Sequence, residues 1–285
     1  MSTFDLAIAY RICPKLAHAA STLPFGDDKL RLSEACLRSL KDSLAGLRVK
    51  TWVLLDACPP EYGRLFKKYF DEQDVVLFDL NGIGNERTFY KQIDILVAQR
   101  DAEVVYFAED DYFYLPNQFK TMINFLLGHE DVDFVSPYDH LDCYTLELHR
   151  QPIWLRLHGG RHWRTAASTC LTFLTKRETL EKTQAVFRKY KRRSFDCSVW
   201  LSLTKHRVFS PLFFCRQVFR EPFFCKIIIK SWLYCWRQIL FGKRRALWVP
   251  IPGIATHLEI HSLSPNIDWS AMMQQGMDSK IWTAS

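Results

Sequence analysis

Short apolar runs alternate with amphipathic segments along the first half of the chain. The apolar runs are rich in β-formers and predict four strands, and the segments between them repeat apolar positions at helical spacing. The predicted strands cover residues 4–10, 49–55, 75–78 and 104–108, and the predicted helices cover residues 28–47, 61–70 and 86–99. Strands that alternate with helices predict an α/β fold, a Rossmann-like, mostly parallel sheet with right-handed crossovers, flanked by helices.

The pattern of the second half is weaker. Residues 137–164 are polar and rich in His and aromatic side chains, and we interpret them as a loop over the open edge of the sheet. Further strands are predicted at residues 133–136 and 167–174, and further helices at residues 117–127, 177–190 and 195–204. The predicted organisation is a catalytic domain (1–208), an amphipathic helical appendage (209–248) and a segment that returns to the active site (249–285).

Three consecutive carboxylates end the fourth predicted strand. Residues 104–108 are continuously apolar, which is typical of a buried parallel strand, and Glu109, Asp110 and Asp111 follow at once. Ligands of open α/β sheets bind at the carboxyl ends of the strands. Adjacent carboxylates repel one another unless a cation neutralises them, and their oxygens suit Mn²⁺ or Mg²⁺. The triplet therefore indicates a metal site, and the alternative is an acidic surface turn.

A strand–helix series that ends in such a triplet, with a late His in a loop, resembles the GT-A fold glycosyltransferases, especially the inverting family 2-like enzymes. The resemblance covers residues 4–205 and 250–260, and the triplet is similar to the DxD signature of that family. One departure is Asp56-Ala57-Cys58, which stands where Asp-Gly-Ser is usual. The resemblance implies a nucleotide-diphosphate sugar of the UDP or GDP type as the donor.

The resemblance also implies roles for particular residues. Asp111 would bind the divalent ion directly, and Asp110 would contact the nucleotide ribose. His257 would complete the metal site, and the alternative is a hydrogen-bonded structural His. The residues implied around the base, the sugar and the diphosphate are Ala9, Tyr10, Arg11, Asp56 and Asn85.

Inversion at the anomeric carbon needs a carboxylate that takes the proton of the acceptor hydroxyl. Asp196 opens an apolar helical segment and resembles the acidic position where the family keeps this base. The alternative is an acid that merely favours the first turn of a helix. Arg164 follows Trp163, and an aromatic beside a cation suits sugar stacking and phosphate pairing. An ordinary packed Trp beside a solvated Arg is the competing interpretation.

The amino-acid composition indicates the compartment in which the protein is expected to occur. The chain has 285 residues, of which 48% are hydrophobic and 24% are charged, which are ordinary globular values. Its nine Cys residues form no CxxC pair, which favours a reducing cytosol over a zinc ribbon or a disulfide framework. Residues 1–15 lack the form of a signal peptide, and no run of 18 uncharged apolar residues occurs.

The net charge of the protein is concentrated in residues 211–247. Eight Lys or Arg residues there stand against one acid, and this surplus equals the whole net charge of +7. On a helix that begins near Pro222, Arg244 and three earlier cations fall on one stripe, and aromatic residues nearly encircle it. The pattern predicts a helix on an anionic membrane surface. The residues predicted to contact the membrane are Lys226, Lys230, Trp232, Trp236 and Arg237.

Two alternatives to the membrane surface remain open for this segment. One is a core-packing helix with a solvated stripe, and the other is nucleic-acid binding, although no RNA or DNA module is recognisable. With the membrane interpretation, the sequence predicts a cytoplasmic enzyme that is peripheral on the inner face of the cell membrane. It would transfer a sugar to a hydroxyl acceptor on a membrane-associated glycan or glycolipid precursor. The alternatives are a nucleotidyltransferase and a non-catalytic membrane scaffold.

Overall fold

The computed structural model describes residues 3–15, 27–190, 195–259 and 262–278. The first half alternates strands and helices as the hydrophobic pattern predicts. Its strands are β1 (Leu6–Ile12), β2 (Val49–Asp56), β3 (Val75–Leu80) and β4 (Val104–Glu109). Its helices are α1 (Lys29–Ser43), α2 (Pro60–Tyr69) and α3 (Gly84–Ala98).

The second half continues with a mixture of short strands and helices. In chain order these are β5 (Tyr112–Tyr114), α4 (Phe119–Leu127), β6 (Phe134–Val135), α5 (Asp142–Thr145), β7 (Leu155–His158), β8 (Arg161–Ala166), β9 (Phe173–Lys176), α6 (Arg177–Phe187), α7 (Asp196–Thr204), α8 (Pro211–Arg220), α9 (Pro222–Phe241), β10 (Leu247–Ile251), β11 (Ala255–His257) and α10 (Trp269–Asp278). Two 3₁₀ turns cover Glu72–Asp74 and Glu147–His149.

Nine of the strands form one sheet in the order β3-β2-β1-β4-β9-β6-β10-β8-β7. The pairs within β3-β2-β1-β4 are parallel, and so is the pair of β6 and β10. Strands β8 and β9 are each antiparallel to both neighbours, so the other seven strands point in one direction. The predicted α/β fold with a mostly parallel sheet is confirmed.

The core lies on both faces of this sheet because successive side chains of a strand point to opposite sides. Ile8 and Tyr106 belong to one buried cluster, which includes residues of α1, α2 and α4. Ala7 and Phe107 belong to the other, which includes residues of α3, α6 and α7. Every residue of β1 is buried, as expected for a central strand covered on both faces.

The interpretation of residues 137–164 as a loop was wrong. Its second part contains β7 and the start of β8, and these strands extend the sheet beyond β10 as its last two members. β7 alternates apolar and polar residues, but its apolar residues Leu155 and Leu157 are exposed, while the residues between and after them are half-buried. Its alternation covers only four residues inside a polar segment, which is a weak signal for a strand.

The predicted appendage contains α8 and α9, and α9 packs directly against α7. The Ser198 hydroxyl donates to the Ile227 carbonyl oxygen at 3.1 Å, and the Ser231 hydroxyl donates to the Ser198 carbonyl oxygen at 2.9 Å. The helix is kinked at Cys235, where φ is −127° and ψ is 21°. α9 ends at Phe241, so the expectation of one continuous stripe of cations that reaches Arg244 was wrong.

The chain returns to the sheet after α9. β10 lies between β6 and β8, and β11 then pairs with β5 in a separate two-stranded sheet. β10 begins at Leu247, inside the segment assigned to the appendage. The division into 1–208, 209–248 and 249–285 remains a prediction, and its residues 1–2, 16–26, 191–194, 260–261 and 279–285 lie outside the described residues.

Candidate active site

The acidic triplet lies at the turn from β4 to β5, and its first member organises the end of β1. Glu109 stands opposite Arg11 in the parallel pairing, and its Oε1 accepts a hydrogen bond from Arg11 Nη2. Its Oε2 accepts a second one from the Thr172 hydroxyl at 2.7 Å. Arg11 Nη1 donates to the side-chain and backbone oxygens of Asn85, the latter at 3.2 Å. Glu109 and Asn85 therefore fix the guanidinium of Arg11.

Asp110 is neutralised from α1. Its Oδ2 lies 2.8 Å from Lys29 Nζ, and both side chains are about nine-tenths buried. The same oxygen accepts a hydrogen bond from the backbone N–H of Cys13 at 3.3 Å. Burial raises the pKa of Asp110, the charge of Lys29 opposes that rise, and the charge of Asp111 adds to it. The charge of Asp110 is therefore already balanced by Lys29, without a metal ion.

Asp111 is brought to His257 by the small sheet of β5 and β11. The strands pair antiparallel with His257 opposite Tyr112, and the N–H of Leu258 donates to the Asp111 carbonyl oxygen at 2.8 Å. His257 Nε2 lies 3.1 Å from Asp111 Oδ2, and His257 Nδ1 lies 3.6 Å from Glu259 Oε2. The pairing of two short strands therefore places the predicted metal ligands side by side.

The electrostatics of this pair follow from its burial and contact. Burial acts to raise the pKa of Asp111, but the charge and hydrogen bond of His257, together with the charges of Lys29 and Arg11, lower that pKa overall. Burial acts to lower the pKa of His257, but the charge and hydrogen bond of Asp111 raise it to about 9. The two side chains form an ion pair at neutral pH.

Asp56 orders the loop that leads into α3. Its two carboxylate oxygens accept hydrogen bonds from the backbone N–H groups of Ile83 at 2.7 Å and Gly84 at 2.8 Å. Gly84 has φ of +82°, a left-handed conformation that side chains rarely adopt. The first turn of α3 is thereby held beside the ends of β1 and β4.

These elements enclose a cavity of about 380 Å³ at the carboxyl edge of the sheet. Its charged lining combines the cations Arg11 and Lys15 with four carboxylates, and the amino end of α3 also borders it. An amino-terminal helix end favours anions, because its N–H groups and the helix dipole carry partial positive charge. The predicted site residues on this lining are Arg11, Asp56, Asn85, Asp110 and Asp111.

Asp196 begins α7 and is half-buried, and its Oδ1 accepts a hydrogen bond from the N–H of Cys197 at 2.7 Å. Burial raises its pKa to about 6, and the negative charge of Glu109 adds to the rise while Arg11 acts against it. Asp196 therefore senses the charges of Glu109 and Arg11, but it is not among the residues that line the cavity.

The residues at Asp111 fit a divalent ion. No group of three or more His, Cys, Asp or Glu side chains placed to hold a metal occurs in the described ranges. Asp111 and His257 are nevertheless adjacent, and Asp111 Oδ1 is buried without a hydrogen-bond partner among the described residues. Buried polar atoms normally have partners, and Mg²⁺ is usually held by one or two carboxylates plus substrate phosphates. Two protein ligands and a diphosphate would satisfy that need.

Three of the predicted ligand-binding residues are not brought to the cavity. Ala9 and Tyr10 are buried in the core, and the Tyr10 ring packs edge-on against Phe66 with centroids 5.1 Å apart. Arg164 Nη2 lies 2.6 Å from Asp139 Oδ1, and these two side chains are almost fully buried. Ala9 and Tyr10 thus build the sheet beneath the site, and Arg164 belongs to an interior ion pair.

Two residues of the site were missed from the sequence. Lys29 is the first residue of α1, and nothing in the amphipathic pattern distinguishes it from a solvated helix residue. Thr172 is a polar position inside a predicted apolar strand, which is a weak signal for a buried hydrogen bond. It is fully buried and holds Glu109. Both roles depend on contacts between residues that are distant in sequence, Lys29 with Asp110 and Thr172 with Glu109.

The predicted membrane-contact residues occupy different environments. Lys226, Trp236 and Arg237 are exposed. Lys230 lies against an aromatic ring, with Nζ 3.9 Å from its centroid. The indole of Trp232 is half-buried and donates a hydrogen bond to a backbone carbonyl at 2.9 Å. Cations and aromatics therefore do not form one uniform solvent-facing surface.

A separate apolar stripe faces outward from α9. Ile229, Leu233, Trp236 and Leu240 are exposed and recur at steps of four, three and four, which places them on one face of the helix. On α8, Leu212 and Phe219 are 86% and 90% exposed. Among the described residues, no helix combines the length and apolar character that crossing a bilayer requires.

Known proteins offer a limited comparison with this chain. No family model matches it, and no curated protein matches it. Among solved structures, *S. aureus* TarS is similar, with 11% identity, a TM-score of 0.43 and coverage of 64% of this chain. The chain spans 49% of that TarS chain, about half its length.

Two further solved structures are similar at the same low level. The mannosyltransferase PcManGT from *Pyrobaculum calidifontis*, in complex with GDP-Man and Mn²⁺, has 14% identity and a TM-score of 0.39 over 81% of this chain and 70% of that one. A cytidylyltransferase from *Leptospira borgpetersenii* has 15% identity and a TM-score of 0.33 over 65% and 64%. The resemblance to glycosyltransferases is thus found again among solved structures. Similarities of this size carry no argument about activity, which must be argued from the site.

Proposed function

We propose that this chain is a metal-dependent glycosyltransferase, which moves a sugar from a nucleotide-diphosphate donor to a hydroxyl acceptor with inversion. The observation that carries the proposal is the pair of Asp111 and His257, with one unpartnered carboxylate oxygen, beside a cavity that an anion-binding helix end lines. Asp111 and His257 would hold Mn²⁺ or Mg²⁺. A divalent ion bound there would act as a Lewis acid on the departing diphosphate.

The chain's own residues supply the binding of the donor. The side chains of Arg11 and Lys15 and the positive end of the α3 dipole line one cavity, and all three interact favourably with phosphate oxygens. Asp56 fixes the loop before α3, and Glu109 fixes Arg11. Such preorganised donors stabilise the charge that develops on the leaving diphosphate.

Asp196 would act as the base in the transfer step. The acceptor oxygen forms a bond to the anomeric carbon, the bond from that carbon to the donor phosphate oxygen breaks, and the acceptor proton passes to the Asp196 carboxylate. The products are the glycosylated acceptor and the nucleoside diphosphate. A pKa of about 6 keeps this carboxylate ionised at neutral pH and makes it a better base than an ordinary Asp.

The test is the identity of the small product. The protein, Mn²⁺, a UDP- or GDP-sugar and a mixture of hydroxyl acceptors should release a nucleoside diphosphate. Release of pyrophosphate from a nucleoside triphosphate and a sugar phosphate would instead identify a nucleotidyltransferase. If the protein binds nucleotide but turns over no donor, it is better explained as a non-catalytic membrane scaffold.

The acceptor in this proposal is a glycan or glycolipid precursor at an anionic membrane surface, reached from the cytoplasmic side. The support is the exposed apolar stripe of α9, together with the net positive charge of residues 211–247, where eight cations stand against one acid. Exposed apolar and aromatic side chains between basic residues suit the interface of anionic lipids. Large exposed apolar patches on proteins usually mark interaction sites.

Vesicle sedimentation tests the membrane part alone. Wild type should sediment with phosphatidylglycerol vesicles and much less with phosphatidylcholine vesicles. Leu233→Ser combined with Leu240→Ser should weaken binding about tenfold, because each loses several buried methylenes at the interface. Leu127→Ser, which alters an exposed Leu at the end of α4, is the matched control. Equal sedimentation of all variants would contradict the membrane surface.

A further inference from the structure

A second cavity lies at the opposite edge of the sheet from the carboxylates. It has a volume of about 530 Å³ and is lined by the start of β10 and by the segment that leads into β7. β10 points in the same direction as β1 and β4, so its amino end at Leu247 and Trp248 lies away from the catalytic edge. This cavity is therefore distinct from the candidate active site.

The polar lining of this cavity has an excess of cations. Four basic side chains stand against two acids: Arg156, Lys243, Arg244 and Arg245 against Asp131 and Asp133. Both acids are already paired, one with Arg245 at 2.8 Å and the other with both terminal nitrogens of Arg156 at 2.9 Å. Lys243 and Arg244 are exposed on the lining. An anion that enters meets a positive surface.

Two indoles complete the lining. Trp154 is 73% exposed, although its backbone is fixed by hydrogen bonds of 3.1 Å in both directions with Thr165. Trp248 is only 3% exposed, and its indole Nε1 is buried without a hydrogen-bond partner among the described residues. The guanidinium of Arg156 lies over the Trp248 ring at 4.8 Å. The exposed flat ring of Trp154 is a feature that a ligand would use.

We propose that this cavity is a second binding site, which takes a sugar that carries a phosphate group. The C–H face of a sugar ring packs on an exposed indole such as Trp154, and Lys243 and Arg244 pair with the phosphate. Sugar hydroxyls can donate to the exposed carboxylate of Asp131. The mixture of acids, cations and hydroxyl-bearing side chains on the lining matches a polyhydroxyl ligand.

This assignment does not depend on the proposed reaction. The site can hold a phosphorylated glycan whether or not the carboxylate cluster transfers sugars. If the chain is a glycosyltransferase, the site would hold a remote part of a phosphate-bearing acceptor chain. Its test must therefore distinguish binding here from binding at the donor cavity.

Calorimetric titration of the full chain with glucose 6-phosphate tests the proposal, with glucose, inorganic phosphate and AMP as comparison ligands. Glucose 6-phosphate should bind the wild type more tightly than the other three. Trp154→Ala should weaken glucose 6-phosphate binding about tenfold but leave phosphate binding unchanged. Lys243→Ala combined with Arg244→Ala should weaken both. Matched controls are Ile153→Ala and Lys120→Ala, which alter exposed residues outside this lining.

The variant Asp111→Ala separates the two sites, and it should bind glucose 6-phosphate as the wild type does. Loss of that binding in Asp111→Ala, with no effect of Trp154→Ala, would place the ligand at the donor cavity and overturn the second site. Tighter binding of AMP than of glucose 6-phosphate would overturn its preference for sugars. Binding to phosphatidylglycerol vesicles through Lys243 and Arg244, with no binding of soluble sugar phosphate, would also overturn it.

Discussion

At the scale of single residues, three adjacent acids have three different environments. Glu109 is paired with Arg11, Asp110 with Lys29, and Asp111 with His257. The first two acids have their charges balanced by Arg and Lys, which remain cationic at neutral pH. The third is balanced by a His, a side chain that can also ligate a metal when neutral. The three acids therefore differ in their partners, and this difference supports Asp111, rather than its neighbours, as the proposed metal ligand.

Replacing the proposed base tests its chemical role. Asp196→Asn should lower kcat by at least about a hundredfold and leave donor affinity unchanged, because general-base catalysis typically contributes 10²–10⁴-fold. In the wild type, kcat should fall as the pH drops through about 6, since the protonated carboxyl cannot accept a proton. Steady-state rates of nucleoside diphosphate release measure both effects.

Glu178→Gln is the control for the competing role of Asp196. Glu178 also lies in the first turn of a helix, α6, and is exposed. If Asp196 only favours the helix dipole, the two variants should behave alike, with full kcat and a small loss of stability. That outcome would remove Asp196 from the mechanism.

Removing the imidazole beside Asp111 tests the metal site. His257→Ala should raise the Mn²⁺ concentration needed for half-maximal activity about tenfold or more, because one of two protein ligands is lost. His162→Ala, an exposed His on β8, should leave the requirement unchanged. A metal titration that gives the same midpoint for both variants would show that His257 only pairs with Asp111.

At the scale of elements, the sequence predicts what is local and misses what is distant. β4 and its acids were predictable because an apolar run and its polar end are adjacent in the chain. The contact of Asp111 with His257 spans 146 positions and depends on the pairing of β5 with β11. The pairing of β5 with β11 cannot be predicted from the hydrophobic periodicity of the sequence. Only the family resemblance suggested His257.

The same limit explains the error at β7 and at α9. β7 is a four-residue edge strand whose two Leu residues are exposed, and so short an alternation inside a polar segment is a weak strand signal. α9 is apolar on two sides, with one side buried around Ile227 and Ser231 and the other exposed around Leu233. A helix that is apolar on two sides gives no clear hydrophobic stripe, so its buried face could not be assigned from the sequence.

The loop before α3 should depend on a single carboxylate. Asp56→Ala leaves two backbone N–H groups without their acceptor and should lower the free energy of unfolding by about 1–3 kcal/mol. Asp56→Asn retains one acceptor oxygen and should cost less. Urea denaturation measures both, with Asp79→Ala on the exposed part of β3 as the control. Equal stability of Asp56→Ala and Asp79→Ala would contradict this role.

At the scale of the whole molecule, one sheet separates three surfaces. Its carboxyl edge holds the acids and the helix end of the candidate active site, and its opposite edge holds the second cavity. The α8–α9 pair carries most of the exposed large apolar residues of the described chain. The local concentration of positive charge was visible in the sequence. The sequence did not show that some of these cations line the second cavity and others lie on the outer face of α9, because that depends on the fold.

The central claim is that Asp111 binds a divalent ion, which in turn binds the diphosphate of an activated sugar. Thermal unfolding of wild type and Asp111→Ala with UDP- and GDP-sugars, with and without Mn²⁺, tests it most directly, since a ligand that binds the native state raises the melting temperature. We predict a rise of a few degrees with one donor class, in wild type only and with Mn²⁺ only. An equal, Mn²⁺-dependent rise in Asp111→Ala would contradict the account.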